Sequence, residues 1–177
     1  MILAERVRLR AVDRDDLPRF VGWLNDPEVR HGLSVSFPLS LPLEEQWFSH
    51  MLEQPMEEHP LVIEVNTPEG WMAVGNIAFH GVDWKERCAE VGIFIGEKNL
   101  WSRGYGREAM QLMLRHGFNT LNLNRIYLRV YASNPRAIKS YEYAGFVHEG
   151  RLRQAHFQDG EYVDVLIMSV LRSEWQA

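Results

Sequence analysis

The sequence predicts a mixed α/β domain in three layers, with a central, mostly antiparallel sheet and helices on both faces. Three observations carry this. Short strand patterns in the N-terminal half read as an antiparallel meander. A strand–helix–strand–helix segment follows over residues 88–143. A hairpin signal, Gln158-Asp159-Gly160-Glu161, lies near the end. At 177 residues the chain fits one domain, residues 1–177, with enough surface to bury a core without a disulfide or metal.

Arg6-Val7-Arg8-Leu9-Arg10-Ala11-Val12 alternates charged and apolar residues, the pattern of a half-buried strand with arginines on one face. Asp13 then suits a helix N-cap, with Asp15 and Asp16 in the first turn and Leu17, Phe20, Val21 and Leu24 at helical spacing. Asn25-Asp26-Pro27 stops that helix. A second helix is expected over 43–54. Strands follow over 61–65, 71–80 and 88–95, with turns at Thr67-Pro68-Glu69-Gly70 and Asp83-Trp84-Lys85-Glu86. Gly75 marks a bulge or a close approach of two backbones. Residues 104–119 form an amphipathic helix, 125–130 a strand and 134–143 a helix that ends at Gly145.

Composition excludes several classes of function. The chain is 46% hydrophobic and 24% charged, unlike a disordered segment. Its net charge of −5 offers no basic field for nucleic acid. No apolar run approaches the ~18 residues of a membrane span, and the N-terminus lacks a signal-peptide core, so a cytoplasmic protein is expected. The one cysteine, Cys88, has no partner for a disulfide or a CxxC motif. The seven histidines show no metal-ligand spacing, so no metal is expected.

The informative stretch is Trp101-Ser102-Arg103-Gly104-Tyr105-Gly106-Arg107-Glu108-Ala109, a glycine loop that opens a helix after a strand. Unpaired N–H groups and the positive end of the helix dipole make such a place a phosphate cradle. A Walker A loop needs Lys-Ser/Thr after its second glycine, whereas Arg107-Glu108 follows here. Gly104-x-Gly106-x-x-Ala109 formally matches a dinucleotide fingerprint. However, residues 97–103 intervene after the strand, and the next strand ends without an acid. The glycines could also serve only a tight turn. A second constellation follows: Asn134-Pro135-Arg136-Ala137-Ile138-Lys139-Ser140-Tyr141 starts a helix, with Asn134 able to cap it and Tyr141 two turns further along the same face.

Together these motifs resemble the GNAT N-acetyltransferases. The family's pyrophosphate loop, Gln/Arg-x-x-Gly-x-Gly/Ala, falls on Trp101-Ser102-Arg103-Gly104-Tyr105-Gly106, with Trp101 departing from Gln/Arg. The run Asn-x-x-Ala-x-x-x-Tyr-x-x-x-Gly-Phe is met by Asn134, Ala137, Tyr141, Gly145 and Phe146. Trp101 before the glycine loop, Asn25-Asp26-Pro27-Glu28-Val29 near the start and Gly150-Arg151-Leu152-Arg153 near the end resemble the ribosomal-protein alanine acetyltransferase-like (RimJ/RimL) branch. The resemblance spans nearly the whole chain. It implies the GNAT fold and transfer of the acetyl group of acetyl-CoA to a primary amine. Protein N-termini, polyamines, amino sugars and amine-bearing drugs are all open as acceptors. A non-catalytic acyl-CoA-binding module of the same fold is the alternative.

The resemblance also implies roles. Backbone groups of Phe94 and Ile95 hold the pantetheine and acetyl carbonyl, where an N–H would stabilise the oxyanion. The backbone of Arg103, Gly104, Tyr105, Gly106 and Arg107 holds the pyrophosphate. Asn134, Ala137 and Ser140, with Arg136 more weakly, lie along the cofactor arm. Tyr141 is the general acid for the leaving thiolate. Each has a plainer reading beside it: core packing for Phe94 and Ile95, a helix cap for Asn134, a packed aromatic for Tyr141. An amine with a pKa near ~10 must lose a proton. Glu90 is the first candidate base, with Asn76, His80, Asp83, His31 and Glu28 behind it. Residues 25–54 and the terminal hairpin form the expected acceptor region. Homodimerisation, through that hairpin, has no sequence feature behind it.

Overall fold

The computed structural model describes residues 1–175. The expected domain boundary at 177 therefore lies two residues outside the described range. Eight strands form one sheet in the order β1-β2-β3-β4-β5-β6-β8-β7. The N-terminal half supplies β1 (Ile2–Leu3), β2 (Val7–Ala11), β3 (Leu61–Thr67), β4 (Gly70–Asp83) and β5 (Cys88–Ile95), each antiparallel to the next. A crossover through α4 (Tyr105–Asn119) brings β6 (Arg125–Tyr131) parallel to β5. Then α5 (Pro135–Ala144) leads into the hairpin β7 (Val147–Gln158) and β8 (Glu161–Leu171), and β8 inserts between β6 and β7. The strand β7 is thus an edge, and Val147, Leu152 and Phe157 on it are exposed.

Helices cover both faces. On one, α4 and α5 pack over Val91, Ile126, Leu128 and Val130, with Phe118, Met110 and Leu114 sealed beneath α4. Burying one such side chain contributes roughly 1.5–3 kcal/mol. On the other face, α1 (Leu17–Asn25) and α3 (Leu41–Met51) place Leu17, Phe20, Trp23, Phe48 and Met51 over Val62 and Ala73. Trp23 belongs to this second cluster, and the half-buried Trp47 packs against it.

Element ends differ from expectation for local reasons. Asp13 does form a capping box with Asp16, but it caps the 3-10 turn Arg14–Asp16 that feeds α1. Pro27 ends α1 and also opens a short helix, α2 (Pro27–Arg30), whose N–H groups of Glu28 and Val29 donate to Asp26. The second long helix starts two residues before the expected 43, because Pro42 is favourable in a first turn.

The arginine face of β2 is half-buried and ion-paired. Arg8 and Arg10 both donate to Glu64 on β3, and Arg10 also grips Asp16 through two bonds of 2.7 Å. Burial penalises the Asp16 charge. The bonds from Arg10 and from the Asp13 N–H more than offset this and hold its carboxyl below the usual range. Glu44 in α3 is the opposite case: it is 5% exposed, and burial pushes its carboxyl up.

Glu44 therefore binds protons more tightly folded than unfolded, so its charge lowers stability as pH rises above about 4.3, the ordinary glutamate value. Glu44→Gln should raise Tm at pH 7 by roughly 2–4 °C, the shift expected for about 1 kcal/mol at this length. The difference should vanish below about pH 4. Thermal unfolding at the two pH values checks both.

Candidate active site

Strands β5 and β6 pair only through Cys88–Arg125, Ala89–Ile126 and Glu90–Tyr127. Beyond these residues they separate. The end of β5 is drawn to β4 instead: the carbonyl of Phe94 lies 2.0 Å from where a Cβ on Gly75 would stand, so only glycine fits. The Val74 carbonyl also accepts from Gly96 N and Glu97 N, at a register shift between β3 and β4. The gap between β5 and β6 opens into a cleft of about 1210 Å³ that passes through the sheet. Tyr141, Glu90 and every residue for which the sequence predicted a cofactor role line it.

The glycine loop and α4 form one end. Gly104 has φ +87 and no side chain caps α4, which leaves the N–H groups of its first turn facing out. Arg6, at the start of β2, holds the loop: it donates to the Arg103 carbonyl at 2.9 Å, pairs with Glu108 at 3.2 Å and lies over the Tyr105 ring. The departure at Trp101 has a structural use. Its indole N–H donates to the Ile95 carbonyl at 2.8 Å, and the Arg136 guanidinium lies 3.7 Å from the centre of its ring. This contact reaches from the loop to the start of α5. Burial lowers the Arg136 pKa from its usual value.

In the α5 wall, Asn134 is the expected cap, accepting from Ala137 N at 3.1 Å. That bond uses its oxygen and leaves its amide group for another partner. Tyr141 packs against Phe146, and burial pushes its phenol up to about 12, so it stays protonated through neutral pH.

The other end lies beside α2. Here Glu28, His31, Leu33 and Ser34 from the α2 region meet Ala155, His156 and Val165 from the terminal hairpin, the two segments named as the expected acceptor region. Ser34 bonds the Tyr131 hydroxyl at 2.8 Å, and His156 stacks on the Tyr131 ring. Carboxylates at this end are paired: Glu28 with Lys98, Asp159 with His31, and Glu90 with Arg129 through bonds of 2.9 and 2.8 Å. Both oxygens of Glu90, the first candidate base, are thus engaged. Asn76 and Asp83 lie outside the cleft, and Asp83 accepts instead from the N–H groups of Lys85 and Glu86.

Sequence reasoning missed Arg6 and Arg129. Each is one arginine in an alternating strand, and its partner is 97 or 39 residues away. Among the described residues no His, Cys, Asp and Glu cluster could hold a metal ion, and no helix is long and apolar enough to cross a membrane.

A cleft between splayed parallel strands, with a free helix N-terminus at one end and a protonated tyrosine in its wall, defines an acyl-CoA-dependent transferase. Residues 6–147 match the acetyltransferase (GNAT) domain, and the chain belongs to that family of N-acetyltransferases. Its relatives include the spermidine N(1)-acetyltransferase of Vibrio cholerae, 31% identical over 96% of this chain and 95% of that one. The Bacillus licheniformis N-acetyltransferase p20 is 27% identical over 98% and 97%. The structure of the Vibrio cholerae spermidine N-acetyltransferase with CoA and spermine superposes with a TM-score of 0.85, at 29% identity, covering 96% and 97%. These full-length relatives do not support the expected ribosomal-protein branch.

Gly104→Val forces a side chain into left-handed backbone, at about 1–2 kcal/mol. It should lower Tm and, in the protein that still folds, remove stabilisation by acetyl-CoA. A full acetyl-CoA shift in that variant would separate this loop from cofactor binding.

Proposed function

We propose that this chain acetylates small primary amines from acetyl-CoA, with polyamines as the first acceptor class to test. The observation that carries the reading is the cleft itself, which joins a cofactor end to an acceptor end through the sheet. The free N–H groups at the start of α4 suit a pyrophosphate, and Arg103 and Arg107 add charge beside it. Asn134 and Ala137 lie along the arm, with Ser140 a turn further on. Backbone groups of Phe94 and Ile95 orient the acetyl carbonyl and stabilise the charge that grows on its oxygen. Tyr141 gives a proton to the departing thiolate. The names of the relatives support the polyamine choice, and Glu28, Glu90 and Asp159 at the acceptor end put carboxylates within the cleft's reach once their present partners yield.

Acetyl-CoA at ~100 times its Kd should stabilise the protein by roughly 2.7 kcal/mol, a Tm rise of about 5–10 °C, whereas NAD and NADPH should give none. An amine panel with thiol detection then reads turnover. Spermidine should lead the panel, and binding without CoA release from any amine would reduce the protein to an acyl-CoA-binding module.

Tyr141→Phe should lower kcat by about 10²-fold with acetyl-CoA affinity unchanged. Equal turnover would remove the phenol from the reaction. Self-association through the exposed edge β7 is also proposed, and a sedimentation mass of one chain at micromolar concentration would refute it.

A further inference from the structure

An acceptor amine reaches the site at neutral pH as an ammonium and must lose a proton before it can attack. Glu90 is poorly placed to take it. Two bonds from Arg129 occupy both of its oxygens, and the pair raises the Arg129 pKa, so the guanidinium does not yield by losing its own proton. The residue opposite Glu90 on β4 is His80. Its ring leans across β5 over Gly92, where an added Cβ would stand 3.1 Å from Nε2 and 3.5 Å from Cδ2. Any larger residue at 92 would occupy the space the ring uses. His80 lines the same cleft as Tyr141 and is exposed.

The surrounding charged groups are committed elsewhere. Glu90 faces His80 from β5 and carries Arg129 from β6. In the turn Met56–Glu58, which packs on β4, Glu58 accepts from Val82 N and Glu57 from the Trp84 indole. Across the cleft, Glu28 is paired with Lys98 and His31 with Asp159. Among the described residues His80 pairs with no carboxylate.

We propose that His80 is the general base of the reaction, an inference that rests on the acetyltransferase reading. Two protons leave the ammonium nitrogen. His80 Nε2 takes the first, which frees the lone pair that forms the C–N bond. As the C–S bond breaks, Tyr141 protonates the sulfur. The second proton leaves the new amide nitrogen and balances the one Tyr141 gave, while the first passes from His80 to solvent. The Glu90–Arg129 pair fixes the wall beside the imidazole.

The test is the pH profile of kcat/KM with saturating acetyl-CoA, using spermidine or whichever panel amine turns over fastest. The wild type should show an acid limb, losing activity as the base takes up its proton. His80→Gln should lose about 10²-fold at pH 7, keep its acetyl-CoA shift in Tm, and rise about tenfold per pH unit as free amine accumulates toward pH 10. Imidazole should restore activity to His80→Ala, a rescue that a packing role could not give. A wild-type profile in His80→Gln, or an acid limb that disappears in Glu90→Gln instead, would overturn the assignment while the acetyltransferase reading stands. A wild type that binds acetyl-CoA but releases no CoA with any amine would overturn both.

Discussion

The structure depends on the parting of two parallel strands. β5 and β6 share three residue pairs and then diverge, although parallel neighbours ordinarily pair along their length. The divergence has a cause in β4. Gly75 carries no side chain, so β5 can swing its Phe94 carbonyl into the space a Cβ would fill. Val74 then fastens the end of β5 by accepting from two consecutive N–H groups. What β5 gives to β4 it withholds from β6. The gap that results joins the glycine loop and α5 to the α2 region and the terminal hairpin in one cavity. It also leaves polar backbone of β5 without a strand partner, which is where an acyl carbonyl can be held.

Around that gap, distant segments are tied by arginines. Arg6 clamps the glycine loop from the start of the chain, and Arg136 meets Trp101 across the cleft. Such contacts tie the loop to β2 and α5 within the fold itself. Preorganisation of this kind matters because a loop ordered only on binding takes its ordering entropy out of affinity.

The acceptor end is governed by pairing rather than by net charge. Glu28, Glu90 and Asp159 each have a basic neighbour. A cationic acceptor would therefore exchange one partner for another, while a bare carboxylate cluster would simply attract it. Both oxygens of Glu90 are taken up by Arg129, while among the described residues the imidazole of His80, in the wall of the cleft, belongs to none of these pairs.

The sequence by itself determined the strand meander, the crossover helix, the closing hairpin, the glycine loop and the Asn134–Tyr141 helix. These are set by short-range rules: period-two and period-3.6 alternation, caps, prolines and the steric freedom of glycine, all of which lie within a few residues of one another. The candidate cofactor residues that line the cleft were legible for the same reason, since both motifs are contiguous. Only the tertiary structure decided the state of each charged group. Nothing local to Glu90 reveals Arg129, nothing local to Asp16 reveals Arg10 clamped also to Glu64, and nothing near His80 shows that Gly92 makes room for its ring. Those facts depend on strand order and register, which bring residues tens of positions apart to hydrogen-bond distance. Coulombic and desolvation effects act through that distance in space, whatever the separation along the chain.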